Sequence, residues 1–88
     1  MTRPELRGLQ AIEFVRALEV DGFVWVRNRG SHRFYRHRDG RRVVVAYHRP
    51  GATFPSGTLG SMLAATQWGG EDLRRLGLLG GHSTDRAA

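Results

Sequence analysis

Residues 23–48 read FVWVRNRGSHRFYRHRDGRRVVVAYH, and the breaks in this stretch decide the fold. Phe23 to Arg29 is β-branched and aromatic, the composition of a strand. Gly30-Ser31 interrupts it. His32 to Arg38 reads as a second strand, and Asp39-Gly40 is a two-residue signal for a tight hairpin turn. Arg41 to His48 is the third strand, with Val43 and Val45 alternating against Val44. Connections this short join antiparallel neighbours, so the segment predicts a three-stranded meander.

Outward from the meander, each flank is helical. Leu9, Ile12, Val15 and Leu18 follow one stripe, and Asp21-Gly22 ends it, Gly22 suiting the positive φ of a helix C-terminus. After the third strand a loop runs from Arg49-Pro50-Gly51 to Pro55-Ser56-Gly57. Thr58 is the expected N-cap of a second helix with Leu59, Met62, Leu63 and Thr66 on one face. Gly69-Gly70 interrupts that helix, and Glu71 to Leu76 can form a short third one, acids first and arginine last. Residues 1–8 are expected to fray, residues 1–79 to form a single domain, and residues 80–88 to be a disordered tail. The order predicts an α+β fold of α-β-β-β-α type. Its helices cover one face of a three-stranded antiparallel sheet and leave the other to solvent or a partner.

Composition narrows the function. Eighty-eight residues support a thin core, and therefore a surface site on a large ligand rather than a deep pocket for a small metabolite. The absence of cysteine excludes disulfides, thiolate zinc sites and Cys nucleophiles, and fits a reducing cytoplasm. No apolar run approaches the roughly 18 residues of a membrane span, and no hydrophobic leader is visible, so a cytoplasmic chain without membrane contact is expected. Residues 27–49 hold eight arginines, three histidines and one acid, Asp39, a local excess of +7 where the whole chain carries +6. A field this concentrated points to a polyanion, nucleic acid first. Histidines within it could also break a phosphodiester.

An ordered set of residues then resembles the HicA toxin family of bacterial toxin–antitoxin systems, also called YcfA-like, over about residues 9–68. The set is Asp21-Gly22-Phe23, Val26-Arg27, Gly30-Ser31-His32, Tyr35-Arg36-His37, Asp39-Gly40-Arg41, Val43-Val44-Val45, His48, Gly57-Thr58-Leu59 and Met62-Leu63. Ala46 stands where the family often has proline, and Gly60 where it prefers a basic residue. The strand and helix order also resembles the double-stranded-RNA-binding domain. The family resemblance implies a metal-independent RNA endonuclease, an mRNA interferase held inactive by a HicB-like antitoxin. The histidine of its Gly-Ser-His motif, His32 here, is implied to be catalytic.

The residues themselves suit that chemistry. Ser31 can donate a hydrogen bond to a phosphate oxygen, and Arg27, Arg29, Arg33, Arg36 and Arg38 can supply positive charge. Arg41, Arg42 and His48 are further candidate RNA contacts, with a plain alternative for each as a solvated turn or loop residue. Histidines at 32, 37, 48 and 82 show no metal spacing and no acidic cluster joins them, so no metal and no cofactor is expected. On a two-residue period His32, Phe34, Arg36 and Arg38 share one face, and Arg33, Tyr35 and His37 the other. Either Phe34 or Tyr35 can be the core residue. An inward Tyr35 leaves His32 and Phe34 on the open face, whereas an inward Phe34 forces His32 to escape burial at the strand end. His37 is expected on the strand surface, and Trp25 and Trp68 in the core or at its edge. Two other functions fit the same residues. One is a non-catalytic double-stranded-RNA-binding-like module, and the other a subunit whose basic face docks an acidic protein.

Overall fold

A computed structural model describes Leu6 and residues 8–79, so the expected tail at 80–88 lies outside the described residues. The elements are α1 (Ala11–Asp21), β1 (Val24–Arg29), β2 (His32–Arg36), β3 (Arg42–Ala46), α2 (Ser56–Thr66) and α3 (Gly70–Arg75). The strands form one antiparallel sheet in the order β1-β2-β3. This is the α+β, α-β-β-β-α arrangement read from the sequence. No described helix is long and apolar enough to cross a membrane.

Local chemistry sets the boundaries. The Gln10 N–H donates to the Glu13 carboxylate at 2.8 Å, satisfying one orphan donor where α1 begins. The helix ends at Gly22, whose φ of 105° is the left-handed value glycine tolerates. The two-residue loop between β1 and β2 is Gly30-Ser31, with Gly30 at φ 60°. The β2–β3 connection is not the expected two-residue turn. The His37 N–H donates to Arg41 O and the Gly40 N–H to His37 O, each at 2.9 Å, which closes a three-residue loop over Arg38, Asp39 and Gly40. The Asp39 carboxylate accepts the Arg41 N–H at 3.0 Å and favours this longer loop, so β2 ends at Arg36 rather than Arg38. Nor does Thr58 cap α2. The helix already begins at Ser56, after Pro55, whose carbonyl accepts the Leu59 N–H at 2.9 Å and whose side chain makes no capping bond.

The helices lie on one face of the sheet. Tyr35, Val43 and Val45 point into a core with Phe14, Leu18, Phe23, Leu59, Met62, Leu63 and Leu73. The buried face of α1 centres on Phe14 and Leu18, with Ile12 at its edge. Leu6, within the segment expected to fray, is 2% exposed and belongs to this core, as does Leu78. Burying a leucine side chain stabilises by roughly 1.5–3 kcal/mol.

The helical layer stops short of β1, and every residue of that edge strand is exposed. Trp25 is therefore not a core residue. It stands 53% exposed, and its Nε1–H donates to Asn28 Oδ1 at 2.9 Å. The β1–β2 ladder also carries a bulge. Trp25 opposes Tyr35 and Arg27 opposes Phe34, leaving Val26 as an extra residue.

Candidate nucleic-acid interface

With Tyr35 inward, the alternative left open by the sequence closes: His32, Phe34 and Arg36 lie on the uncovered face. Residues directly opposite on paired strands share a face. The register therefore sets out three rows across the sheet. They are Arg29, His32 and Ala46; then Arg27, Phe34 and Val44; then Val24, Arg36 and Arg42.

His32 opens β2 immediately after Gly30-Ser31 and is exposed. Its imidazole makes no hydrogen bond or ion pair among the described residues. Arg29 is its direct cross-strand neighbour, at the roughly 4.5–5.5 Å between Cβ atoms usual for such pairs. Ser31 is half-buried in the turn, its carbonyl accepting the Tyr47 N–H at 3.2 Å.

In the second row the Arg27 guanidinium carbon sits 4.6 Å from the Phe34 ring centroid, a cation–π contact. Phe34, Val26 and Val44 floor a depression of about 430 Å³ whose walls include Arg27, Arg36 and Arg42. Arg36 and Arg42 stand directly opposite one another, with no acidic partner among the described residues. Like charges so placed repel, and an anion between them would relieve that. Arg38 is exposed in the β2–β3 loop beside Val24, Val26 and Arg36, and extends the positive surface toward that end.

Three expected contacts lie elsewhere. Arg33 pairs with Val45 on the helix side, its guanidinium 4.7 Å from the Tyr47 ring. His48 is exposed in the loop after β3. Arg41 is engaged inside the protein. Its guanidinium donates to Thr66 O at 2.7 Å, pairs with Asp21 Oδ2 at 3.1 Å and with Asp39 Oδ2 at 2.8 Å, and covers the Phe23 ring at 4.9 Å. It is not available to a ligand without breaking those contacts.

His37 is likewise a structural group, not a strand-surface residue. Its Nε2–H donates to Asp21 O at 2.8 Å and its Nδ1 accepts the Asp39 N–H at 3.1 Å. The same Nδ1 lies 3.1 Å from Asp39 Oδ1, so the ring is held between the end of α1 and the β2–β3 loop. Asp21 is the centre of this network. Burial alone would raise its carboxyl, but hydrogen bonds from Trp68 and Arg75, with the charge and hydrogen bond of Arg41, outweigh burial and hold it below the ordinary value. The Arg41 backbone N–H, and secondarily its guanidinium, depress Asp39 in the same direction.

Sequence reasoning missed the apolar floor. The alternation of Val44 against Val43 and Val45 was a usable signal for it, whereas Val26 joins the floor through a bulge that no local pattern announces. It also missed the Asp21 network, whose members are separated by up to 54 positions. Among the described residues no three His, Asp or Glu gather as a metal site would need.

A family model described as the HicA toxin of bacterial toxin–antitoxin systems matches residues 12–68, more than half of the chain, from the second residue of α1 to just past α2. A comparison with curated proteins finds no match.

Proposed function

The chain belongs to the HicA toxin family of bacterial toxin–antitoxin systems, and from this we propose that it is an RNA endonuclease whose working group is His32. The observation that carries the reading is the first row of the sheet, where an exposed, unengaged imidazole stands beside Arg29 on the arginine-bearing face. His32 takes the proton of a ribose 2′-hydroxyl as its oxygen attacks the adjacent phosphorus. The bond from phosphorus to the 5′-oxygen breaks, and the imidazolium returns the proton to that leaving oxygen. The products are a cyclic 2′,3′-phosphate and a 5′-hydroxyl. Arg29 and Arg27 offset the charge that develops on phosphorus. No metal enters these steps. A HicB-like antitoxin would silence the toxin by presenting acidic residues to the same face.

Cleavage of an RNA by the purified chain in EDTA, compared with His32→Ala, tests the reading. Positioned proton transfer contributes about 10²–10⁴ in rate, so the variant should lose at least about a hundredfold. Undiminished cleavage by the variant would reject the assignment of His32. RNA retained by the wild-type chain without any cleavage would leave a binding module of double-stranded-RNA-binding shape.

A further inference from the structure

We infer that the depression over Phe34, Val26 and Val44 is a subsite for an unstacked nucleobase, which makes the substrate single-stranded rather than duplex RNA; the inference rests on the RNA reading of this face. Two independent features support it. The floor is apolar yet open to water, with Val26 50% and Val44 40% exposed beside the Phe34 ring. Binding a phosphate backbone alone gives such a floor nothing to do. A duplex presents phosphates and 2′-hydroxyls to a protein and keeps the faces of its bases stacked inside. The walls, in turn, are guanidinia without acidic partners: Arg27, Arg36 and Arg42, the last two set against each other.

A nucleobase has apolar faces, a polar rim and a phosphate on either side. The Arg27 guanidinium, which covers the Phe34 ring in the free protein, would swing to the rim of the base; the face of the base would take its place on Phe34 and the valines, and its flanking phosphate would sit between Arg36 and Arg42. Single-strand binding surfaces combine stacking groups and positive charge in this way. Phe34 is two residues from His32 on the same strand face, roughly 6.5 Å along β2. The bound base is therefore a near neighbour of the phosphate that His32 attacks.

The test uses the full chain carrying His32→Ala, so that binding is read without cleavage. Its ligands are a short single-stranded oligoribonucleotide, the same strand with single abasic positions, and a duplex of equal length. One abasic position should weaken binding by about 5- to 150-fold, the range of a single base–aromatic stack. Phe34→Ala should bind the intact strand as weakly as the parent binds the abasic one. A 2-aminopurine at the sensitive position should be quenched on binding, and the duplex should bind more weakly than the single strand. If every abasic strand binds as well as the intact one, or the duplex binds as tightly, the subsite is overturned. Should Phe34→Ala unfold, the abasic series on the parent decides alone. Loss of His32-dependent cleavage would overturn only the nuclease reading, and the base subsite would stand on the binding data.

Discussion

Asp21 joins more of the molecule than any charged residue on the open face. Its carboxylate accepts hydrogen bonds from Trp68 at 2.9 Å and Arg75 at 3.0 Å and pairs with Arg41, while its carbonyl takes the His37 ring N–H. One residue at the end of α1 thus ties the β2–β3 loop, the start of β3, the segment after α2, and α3. Asp21→Asn keeps the shape and loses the charge. It should destabilise by about 1.5–3 kcal/mol, the usual scale for hydrogen bonds to a charged group. The sign of the pH effect follows from the depressed folded value. The unfolded chain binds the proton more readily, so the stabilisation is full above the ordinary carboxylate range near pH ~4 and is lost as pH falls through the lower folded value. Urea unfolding from pH 7 downward checks this. The asparagine variant should show a flatter acid limb, and a limb as steep as that of the parent would count against Asp21 as its source.

At the scale of elements, turns and ends explain both what the sequence disclosed and what it hid. Gly22, Gly30 and Gly40 were visible as punctuation because only glycine enters the left-handed region at little cost, and all three have positive φ. The face Leu59, Met62, Leu63 and Thr66 was visible because helical spacing is local, and all four are buried. Which aromatic of β2 faces inward was not visible, since Phe34 and Tyr35 are equally at home in a core and only packing against α1 and α2 separates them. Leu6 and Leu78 were hidden for another reason. Leu6 stands alone in a polar segment and Leu78 in a short glycine-broken run past the third helix, so neither shows a period, and only the folded chain shows that they close the core. For the site, His32 and the strand arginines were legible, but the engagement of Arg41 was not, because Asp21 and Thr66 lie far along the chain. Gly22 and Gly30 offer a test. Alanine at either must adopt a left-handed backbone, costing about 1–2 kcal/mol. At Gly22 alone its Cβ would also meet His37 Nε2 at 2.9 Å, whereas at Gly30 nothing lies within 4 Å. Denaturant midpoints should therefore fall further for Gly22→Ala than for Gly30→Ala, and the opposite order would dismiss His37 as a constraint on that corner.

Taken whole, the molecule separates its cations by task. Arg27, Arg29, Arg36 and Arg42 share the uncovered face, while Arg41 and Arg75 hold the interior side together through Asp21. The net charge of +6 does not distinguish these sets, but salt does. Each phosphate contact removed should lower the dependence of log K on log salt by about 0.7 for a single strand. Arg36→Gln or Arg42→Gln should show that change in an RNA-binding titration with little loss of stability. Arg41→Gln should do the reverse, and a reduced salt slope in that variant would contradict its interior role. The separation itself depends on the surplus residue in β1. Counted strictly by twos from Trp25, which faces the helix side, Arg27 and Arg29 fall on that same side and Asn28 falls beside His32. Val26 resets the parity, so odd-numbered arginines emerge opposite an odd-numbered tryptophan. A chain shortened by Val26 alone would keep the same guanidinia outward. A strand of the present length forced into even pairing would turn Arg27 and Arg29 to the helix side and leave Arg36 and Arg42 alone on the other, without the change of a single charge.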